Sequence, residues 1–280
     1  MKPTGAAMMA GVIGQPIAHS LSPLMMAHWI EAAGLNALYG PYIASPHMFA
    51  PVALALQRSG LSGLNVTLPH KEQALVIAHR ISDRADAIGA ANLLTFADGE
   101  VHADNTDAPG FIGSLKASGG DPAGQRVLVL GAGGAARSIV YGLVEAGASS
   151  IIIANRNRDR AKALRDRIAP AAEITGWDGR EEVVSDVDIV VNATSLGLTG
   201  QPVLDMDFTK ASKPLIVADS VYSPLKTAFL RTAEEAGHKT VDGLGMLIEQ
   251  GKPSFEAFFG QPAPDVDVRT PLMAALGETP

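Results

Sequence analysis

The stretch Arg126-Val-Leu-Val-Leu-Gly-Ala-Gly-Gly-Ala-Ala-Arg137 constrains the fold more than any other part of the chain. Four consecutive apolar residues, two of them β-branched, form the short run that a strand buried on both faces of a parallel sheet requires, and the run ends in glycines. The next dozen residues are helical in period: Ile139, Leu143 and Ala146 fall on one face, and Gly147 stands where a helix-ending glycine belongs. Gly131 can take the turn, Gly133 lets backbone approach a pyrophosphate, and Ala136 stands where Gly or Ala permits helix–strand contact. A bare G-x-G-x-x-A match is a weak signal, but a strand before it, a helix after it and a second strand at Ser150-Ile-Ile-Ile-Ala154 make it a dinucleotide-binding turn.

The second strand indicates which dinucleotide. An NAD site carries a carboxylate about 20 residues past the first glycine, where it binds the ribose 2′-hydroxyl. Here the strand runs into Asn155-Arg156-Asn157-Arg158-Asp159-Arg160. Three arginines in a chain of net charge −7 are a local cation cluster, and guanidinium groups make forked, charge-assisted bonds to phosphate oxygens. The reading is NADP (NADPH) ahead of NAD. The bland alternative is a solvated helix start, with Asp159 partly neutralising the cluster or pairing with one arginine.

At 280 residues, 47% of them hydrophobic, the chain is long enough for one large or two medium domains with substantial cores. With 22 basic against 29 acidic residues and no basic run outside the arginine cluster, no nucleic-acid or membrane partner is expected. The first residues lack a continuous apolar region of signal-peptide length, so the expected location is cytoplasmic. There is no cysteine, and the seven histidines show no metal-ligand spacing; no metal is expected.

Before the dinucleotide turn, strand-like and helix-like segments alternate. Ala10–Gly14, Ala37–Ile43 and Leu64–Leu68 read as strands, and Pro23–Ala33, His47–Ser59 and Lys71–Ala78 as helices. Asn92–Phe96 and Glu100–Ala103 read as a hairpin around Asp98-Gly99. The loop-like Ser118-Gly-Gly-Asp-Pro-Ala-Gly-Gln125 separates this half from the nucleotide half, with a boundary near residue 120. Later strands at Val187–Val191, Leu215–Ala218 and Lys239–Asp242, with a crossover helix at Thr227–Ala236, continue a doubly wound sheet. The expected architecture is α/β with two domains and a ligand cleft between them. A substrate-binding and catalytic domain spans 1–118, completed by C-terminal helices 246–280, and a Rossmann-type domain binding NADP spans 119–245. The two joins make a natural hinge.

Four polar clusters sit at strand or helix ends. In Gly14-Gln-Pro-Ile-Ala-His-Ser20-Leu-Ser22-Pro23, Ser22 fits an N-cap, which leaves Ser20 spare. Asn65-Val-Thr67-Leu-Pro-His-Lys71 carries polar groups at alternate strand positions and places a lysine at a helix start, where the macrodipole disfavours cations. Asp104-Asn-Thr-Asp107 opens a helix running to about Ala117; Asp107 alone reads as an N-cap, but a lysine and an aspartate at neighbouring strand ends can also share a proton with a substrate hydroxyl. The fourth is Asn192-Ala-Thr194-Ser195 with Asp219-Ser220-Val-Tyr222 and Asp242-Gly243…Gln250. Its first two pieces come after strands of the nucleotide half and border the nicotinamide end of the crevice.

The order and spacing of these pieces resemble the shikimate dehydrogenase family, from Val12 to Gly260. The motifs are Gly-Gln-Pro-Ile-Ala-His-Ser-Leu-Ser-Pro, Asn-Val-Thr-Leu-Pro-His-Lys, Ile-Gly-Ala-Ala-Asn92, Asp-Asn-Thr-Asp, Gly-Ala-Gly-Gly-Ala-Ala-Arg, Asn-Ala-Thr-Ser and Asp-Gly-Leu-Gly-Met-Leu-Ile-Glu-Gln. The resemblance implies NADP-linked, reversible reduction of the ketone of 3-dehydroshikimate to shikimate in aromatic amino-acid biosynthesis. It assigns Ser20, Ser22, Asn65, Thr67, Asn92, Tyr222 and Gln250 to the substrate's hydroxyls and carboxylate, and the proton to Lys71 with Asp107. Cofactor contacts fall on Gly131, Ala132, Gly133, Gly134 and Ala135, on Asn155, Arg156, Asn157 and Arg160, and on Thr194, Ser220, Gly243 and Asp83. The chain departs from the family pattern at Met26, where His is frequent, at Leu93, where Thr usually comes after Asn92, and at Asn157, where Thr is usual. After Asp107, Ala-Pro-Gly replaces Gly-x-Gly. The alternatives are a broader quinate/shikimate dehydrogenase using NAD or NADP, and an NADP-binding regulatory protein with no use for Lys71 and Asp107. The expected assembly is a monomer or homodimer.

Overall fold

The structure is a computed structural model and describes residues 3–278; residues 1–2 and 279–280, at the outer ends of the expected domains, lie outside the described residues. The chain begins β1 (Met8–Gly14), α1 (Ser22–Ala32), β2 (Ala37–Ile43), α2 (Phe49–Arg58), β3 (Gly63–Val66), α3 (Lys71–Val76), β4 (Arg80–Ile81), α4 (Asp83–Ile88), β5 (Leu93–Ala97) and β6 (Glu100–Asp104). It continues with α5 (Asp107–Ala117), β7 (Arg126–Leu130), α6 (Gly134–Glu145), β8 (Ser150–Asn155), α7 (Arg158–Ile168), β9 (Glu173–Gly176) and β10 (Ile189–Asn192). The last elements are β11 (Ile216–Asp219), α8 (Ala228–Glu235), β12 (Lys239–Val241), α9 (Gly243–Phe259) and α10 (Arg269–Ala275).

Two compact units result. One holds residues up to Thr106 together with Gln250–Ala275, the other Asp107–Glu249. The division therefore falls one helix earlier than the expected 118/119, and the return to the first unit comes at 250 instead of 246. The reason is burial: Phe111 and Leu115 of α5 join the core formed by α6 and β7, so the helix packs with the elements after it in the chain.

The first unit is a six-stranded sheet in the order β2-β1-β3-β5-β6-β4. Parallel pairing of β1 with β2 and β3 gives the expected βαβ rhythm, and β5 runs antiparallel to β3 and β6. The hairpin closes through Asp98 and Gly99, both at positive φ (52° and 77°), as a two-residue turn matched to strand twist demands. On one face Ile13, Leu64, Val66, Leu94 and Val101 pack with Phe49 and Ala53 of α2, Ala74 of α3 and Ala85 of α4. Elsewhere Phe255 of α9 meets Trp29 of α1 edge-on at 5.8 Å. A Cβ on Gly63 would lie 2.6 Å from the Phe258 ring, so that glycine is what lets α9 reach β3. β3 ends at Val66, short of the expected Leu68, and β4, α4 and β9 are elements that local periodicity does not announce.

The second unit is a parallel six-stranded sheet in the order β12-β11-β10-β7-β8-β9. Its strands alternate between two cores. Val127, Val129, Ile151, Ile153, Ile189 and Val191 face α5, α6 and α7, while Leu128, Leu130, Ile152, Val190 and Val217 face Phe229 and Leu230 of α8 and the segment Leu204–Phe208. Burial on both faces explains why β7 and β8 read as unbroken apolar runs. Among the described residues no helix is long and apolar enough to cross a membrane, and no group of three or more His, Asp or Glu could hold a metal ion.

Candidate active site

In the first unit, Ser20, Thr67, Lys71 and Asn92 of the expected substrate and catalytic residues emerge at one edge of the sheet, while Asp107 and Tyr222 belong to the second unit. β1, β3 and β6 run the same way, so their C-terminal ends deliver Ser20, Thr67, Lys71 and the Asp104–Thr106 segment to one edge, and Asn92 precedes the antiparallel β5 there. A parallel arrangement collects functional side chains at such ends. Asn92 is 3% exposed and its amide is spent on positioning: Oδ1 accepts from Thr106 N (2.7 Å), and Nδ2 donates to Thr106 Oγ1 (2.9 Å) and Gln250 Oε1 (3.2 Å). It thus holds the backbone immediately before Asp107, itself buried, and joins it to α9. Asn65 Oδ1 accepts from Tyr39 Oη at 2.7 Å, and Nδ2 donates to Ser254 Oγ at 2.8 Å. Burial pushes the Tyr39 phenol well above its usual range, so it stays a neutral donor to Asn65.

Lys71 is the first residue of α3, and its carbonyl accepts from Ala91 N at 2.8 Å, which ties it to the segment leading into Asn92. Preceding it, buried His70 stacks on Phe49 at 4.7 Å and places Nε2 at 2.8 Å from the Ala44 carbonyl, an acceptor only, so Nε2 carries the proton. Ser22 corrects the N-cap expectation. It is the first helical residue of α1, and the Ser20 hydroxyl accepts from Ser22 N at 3.3 Å. The side-chain hydroxyls of Ser22 and Thr67 make no hydrogen bond to a described residue. A Cβ on Gly14 would lie 2.4 Å from Thr67 Cγ2, so Gly14 makes room for that side chain.

The Asp107 segment has its own support. Asp104 accepts from Arg84 at 3.2 and 2.6 Å, from Ser82 Oγ at 2.5 Å and from Asn105 N at 2.7 Å. Desolvation raises its carboxyl, but the hydrogen bonds from Arg84, Ser82 and Asn105 outweigh it and the net shift is downward. Asp83, expected to touch cofactor, is the exposed first residue of α4, between the two residues that hold Asp104.

The second unit carries the dinucleotide turn. Gly131 has φ +115°, and a Cβ there would stand 2.9 Å from Thr194 Cγ2 and 3.0 Å from the Ala193 carbonyl oxygen, so only glycine fits. Positions 133 and 134 differ: a Cβ on either meets nothing within 4 Å, and α6 begins at Gly134 with no side-chain cap on its amides. Open space in front of an uncapped helix N-terminus, between Ala132 and Ala135, is what a pyrophosphate requires. Past β8, Asn155 Nδ2 donates to Asn157 O at 2.7 Å, and Asn157 Oδ1 caps α7 by accepting from Asp159 N and Arg160 N, both at 3.0 Å. The Thr-to-Asn departure therefore does helix-capping work. Asp159 lies 3.8 Å from Lys162, leaving Arg156, Arg158 and Arg160 exposed with no ion pair to a described residue. These groups fit a 2′-phosphorylated dinucleotide.

Across β10 and β11 one buried network shapes the adjoining loops. Thr194 N and Oγ1 donate to Asn192 Oδ1 (3.0 and 2.7 Å), and Asn192 Nδ2 donates to Asp219 Oδ1 at 2.8 Å. Asp219 also accepts from Val221 N (2.9 Å) and Thr227 Oγ1 (2.7 Å). Ser220 N donates to Asn192 O at 2.9 Å, which fixes the start of the loop carrying Tyr222. Gly243 packs on that loop: its Cβ would lie 2.6 Å from the Val221 carbonyl oxygen. Sequence reading picked out the strand-end motifs containing Asn192 and Asp219 but assigned neither to the site. Tyr39 and Ser254 were missed, since their partner Asn65 stands 26 and 189 positions away.

A doubly wound parallel sheet with a glycine turn at its centre and an arginine cluster after the next strand defines a dinucleotide-binding α/β protein, here with a second sheet whose edge gathers buried amides and a lysine. Three family profiles match: the shikimate dehydrogenase substrate binding domain at residues 12–94, shikimate / quinate 5-dehydrogenase at 115–217 and the shikimate 5'-dehydrogenase C-terminal domain at 243–270. A shikimate dehydrogenase (NADP(+)) of Maricaulis maris is 48% identical over 278 residues, 99% of each chain. The crystal structure of shikimate dehydrogenase from Aquifex aeolicus superposes with TM-score 0.87 at 35% identity, covering 93% of this chain and 96% of that one. The Thermus thermophilus enzyme in complex with NADP(H) and shikimate gives 0.84 at 35% identity, over 92% and 95%. The chain belongs to the shikimate dehydrogenase family.

Proposed function

We propose that the chain catalyses the reversible, NADPH-dependent reduction of 3-dehydroshikimate to shikimate, a step of aromatic amino-acid biosynthesis. The observation that carries this reading is the near full-length identity to a named shikimate dehydrogenase (NADP(+)). NADPH, when bound, supplies the hydride to the carbonyl carbon. Arg156 and Arg160 hold its 2′-phosphate with Asn155 and Asn157, and Gly131–Ala135 cradle its pyrophosphate; Thr194, Ser220 and Gly243 line the nicotinamide side. Ser20, Ser22, Asn65, Thr67, Asn92, Tyr222 and Gln250 orient the substrate's hydroxyls and carboxylate. Lys71 donates the proton to the oxygen that becomes the alkoxide, and Asp107 steadies the ammonium and accepts a hydrogen bond from the same hydroxyl. A monomer or homodimer in the cytoplasm is the corresponding proposal for assembly and compartment.

The test is absorbance of the reduced nicotinamide with shikimate and quinate, each against NADP⁺ and NAD⁺. Turnover with shikimate and NADP⁺ far above the other three pairs is expected; comparable turnover of quinate would assign the broader quinate/shikimate activity, which the family description matched over 115–217 also names. Absence of turnover with all four pairs, cofactor binding intact, would favour the regulatory alternative.

A further inference from the structure

The carboxylate of Asp219 is a buried charge without a counter-ion. It ends β11 at 2% exposure, and all its partners are neutral donors: Asn192 Nδ2 at 2.8 Å, Val221 N at 2.9 Å and Thr227 Oγ1 at 2.7 Å. Among the described residues, no ionisable group of the elements packed around it pairs with it. By α8, Lys226 pairs with Glu234, and Arg231 Nη1 donates to the Lys226 carbonyl at 2.6 Å. After β12, Asp242 Oδ1 accepts from Leu244 N and Gly245 N at 3.0 and 3.4 Å, and Lys239 Nζ reaches to 2.9 Å from where a Cβ of Gly119 would stand. β10 carries no ionisable residue, and Tyr222 lies further along Asp219's own loop. Burial is the largest influence on the carboxyl and lifts its pKa to about 6 against the hydrogen bonds from Thr227, Val221 and Asn192.

Strand order assigns this charge an end of the cofactor. β7 leads into the glycine turn; β8, after which the arginine cluster begins, lies on one side of it, and β10 then β11 on the other. A dinucleotide laid across the strand ends has its 2′-phosphate on the β8 side and its nicotinamide on the side of β10 and β11. The oxidised nicotinamide is a cation and the reduced ring is neutral.

We infer that Asp219 selects the redox state of the cofactor: its uncompensated carboxylate, beneath the Thr194 and Ser220–Tyr222 loops, favours the cationic oxidised nicotinamide over the neutral reduced one. This rests on the cofactor site proposed above. A unit charge within ~10 Å at an effective dielectric near 20 shifts a binding equilibrium by roughly an order of magnitude. Asp219→Asn removes the charge and keeps the shape, since Oδ1 retains its two donors and the new amide can donate to a Thr227 hydroxyl turned to accept.

The experiment is isothermal titration of NADP⁺ and of NADPH into wild type and Asp219→Asn across about pH 5–8. Both ligands share the 2′-phosphate and its ionisation, so the ratio of their dissociation constants isolates the nicotinamide charge. In wild type the ratio Kd(NADP⁺)/Kd(NADPH) is expected to fall about tenfold as pH rises, with its midpoint near the Asp219 value of about 6. In Asp219→Asn it stays at the acidic wild-type level throughout. A pH-independent wild-type ratio, with both ligands binding, overturns the inference and needs no variant; an Asp219→Asn ratio that tracks wild type overturns it as well. Failure of either cofactor to bind at any pH would overturn the cofactor site itself, a separate result.

Discussion

Lys71 and Asp107 are expected to act as one catalytic device. Lys71→Met should lower kcat by roughly two or more decades with a much smaller change in KM, within the 10²–10⁴-fold range of positioned acid/base help. Adding Asp107→Asn should cost less than the product of the single effects. Steady-state kinetics on the singles and the double, with melting curves, check this; wild-type kcat in Lys71→Met would end the assignment. Arg156→Asp should weaken NADP⁺ binding at least tenfold while leaving NAD⁺ little changed, since a charge-assisted bond to phosphate contributes roughly 1.5–3 kcal/mol. Equal losses for both cofactors would show that the cluster does not read the 2′-phosphate. Asp219 also leaves a stability signature. Its folded pKa of about 6 lies above the ordinary 3.8, so its stabilising contribution is fully present below about pH 4 and is lost as pH rises through about 6. Two pKa units correspond to on the order of 3 kcal/mol. Urea unfolding of wild type and Asp219→Asn should show wild type's relative stability falling by that order across this window, and a constant difference would refute the buried-carboxylate picture.

At the scale of elements, the junction of β7 and α6 separates folding from binding within three residues. Gly131 combines a φ of +115° with a Cβ position 2.9 Å from Thr194 Cγ2, so Gly131→Ala should destabilise the protein by about 1–3 kcal/mol. At Gly133 φ is −89° and the space is open, so Gly133→Ala should melt near wild type yet bind NADP⁺ at least several-fold more weakly. Thermal melts paired with cofactor titrations decide it; equal melting losses in both variants would contradict the structure of the turn.

On the scale of the whole molecule, the two units differ in self-sufficiency. Asp107–Glu249 contains a complete six-stranded sheet with a core on each face. Residues up to Thr106 depend on chain from beyond Gln250, where Phe255 packs on Trp29 and Phe258 on Tyr39. The fragment 107–249 should therefore fold alone, with cooperative melting and NADP⁺ binding, whereas 1–106 should not. Circular dichroism of both fragments tests this, and a cooperatively folded 1–106 would show that the α9 contacts are dispensable.

The sequence by itself determined whatever depends on local periodicity and backbone chemistry. β7 and β8 were legible because burial on both faces demands unbroken apolar runs, and the turn because only glycine tolerates Gly131's conformation. Short, solvent-facing pieces were not: Arg80–Ile81 is two exposed residues, too brief for a period. Nor was the division at Thr106, which hinges on where Phe111 and Leu115 bury rather than on the glycine-rich loop after them. The tertiary structure alone decided which polar groups meet. Asn65 finds Ser254 across 189 positions, and Asp219 becomes a buried, unpaired carboxylate because β10, β11 and the start of α8 close around it. A side chain's desolvation is set by neighbours distant in sequence, and no local pattern of residues encodes it.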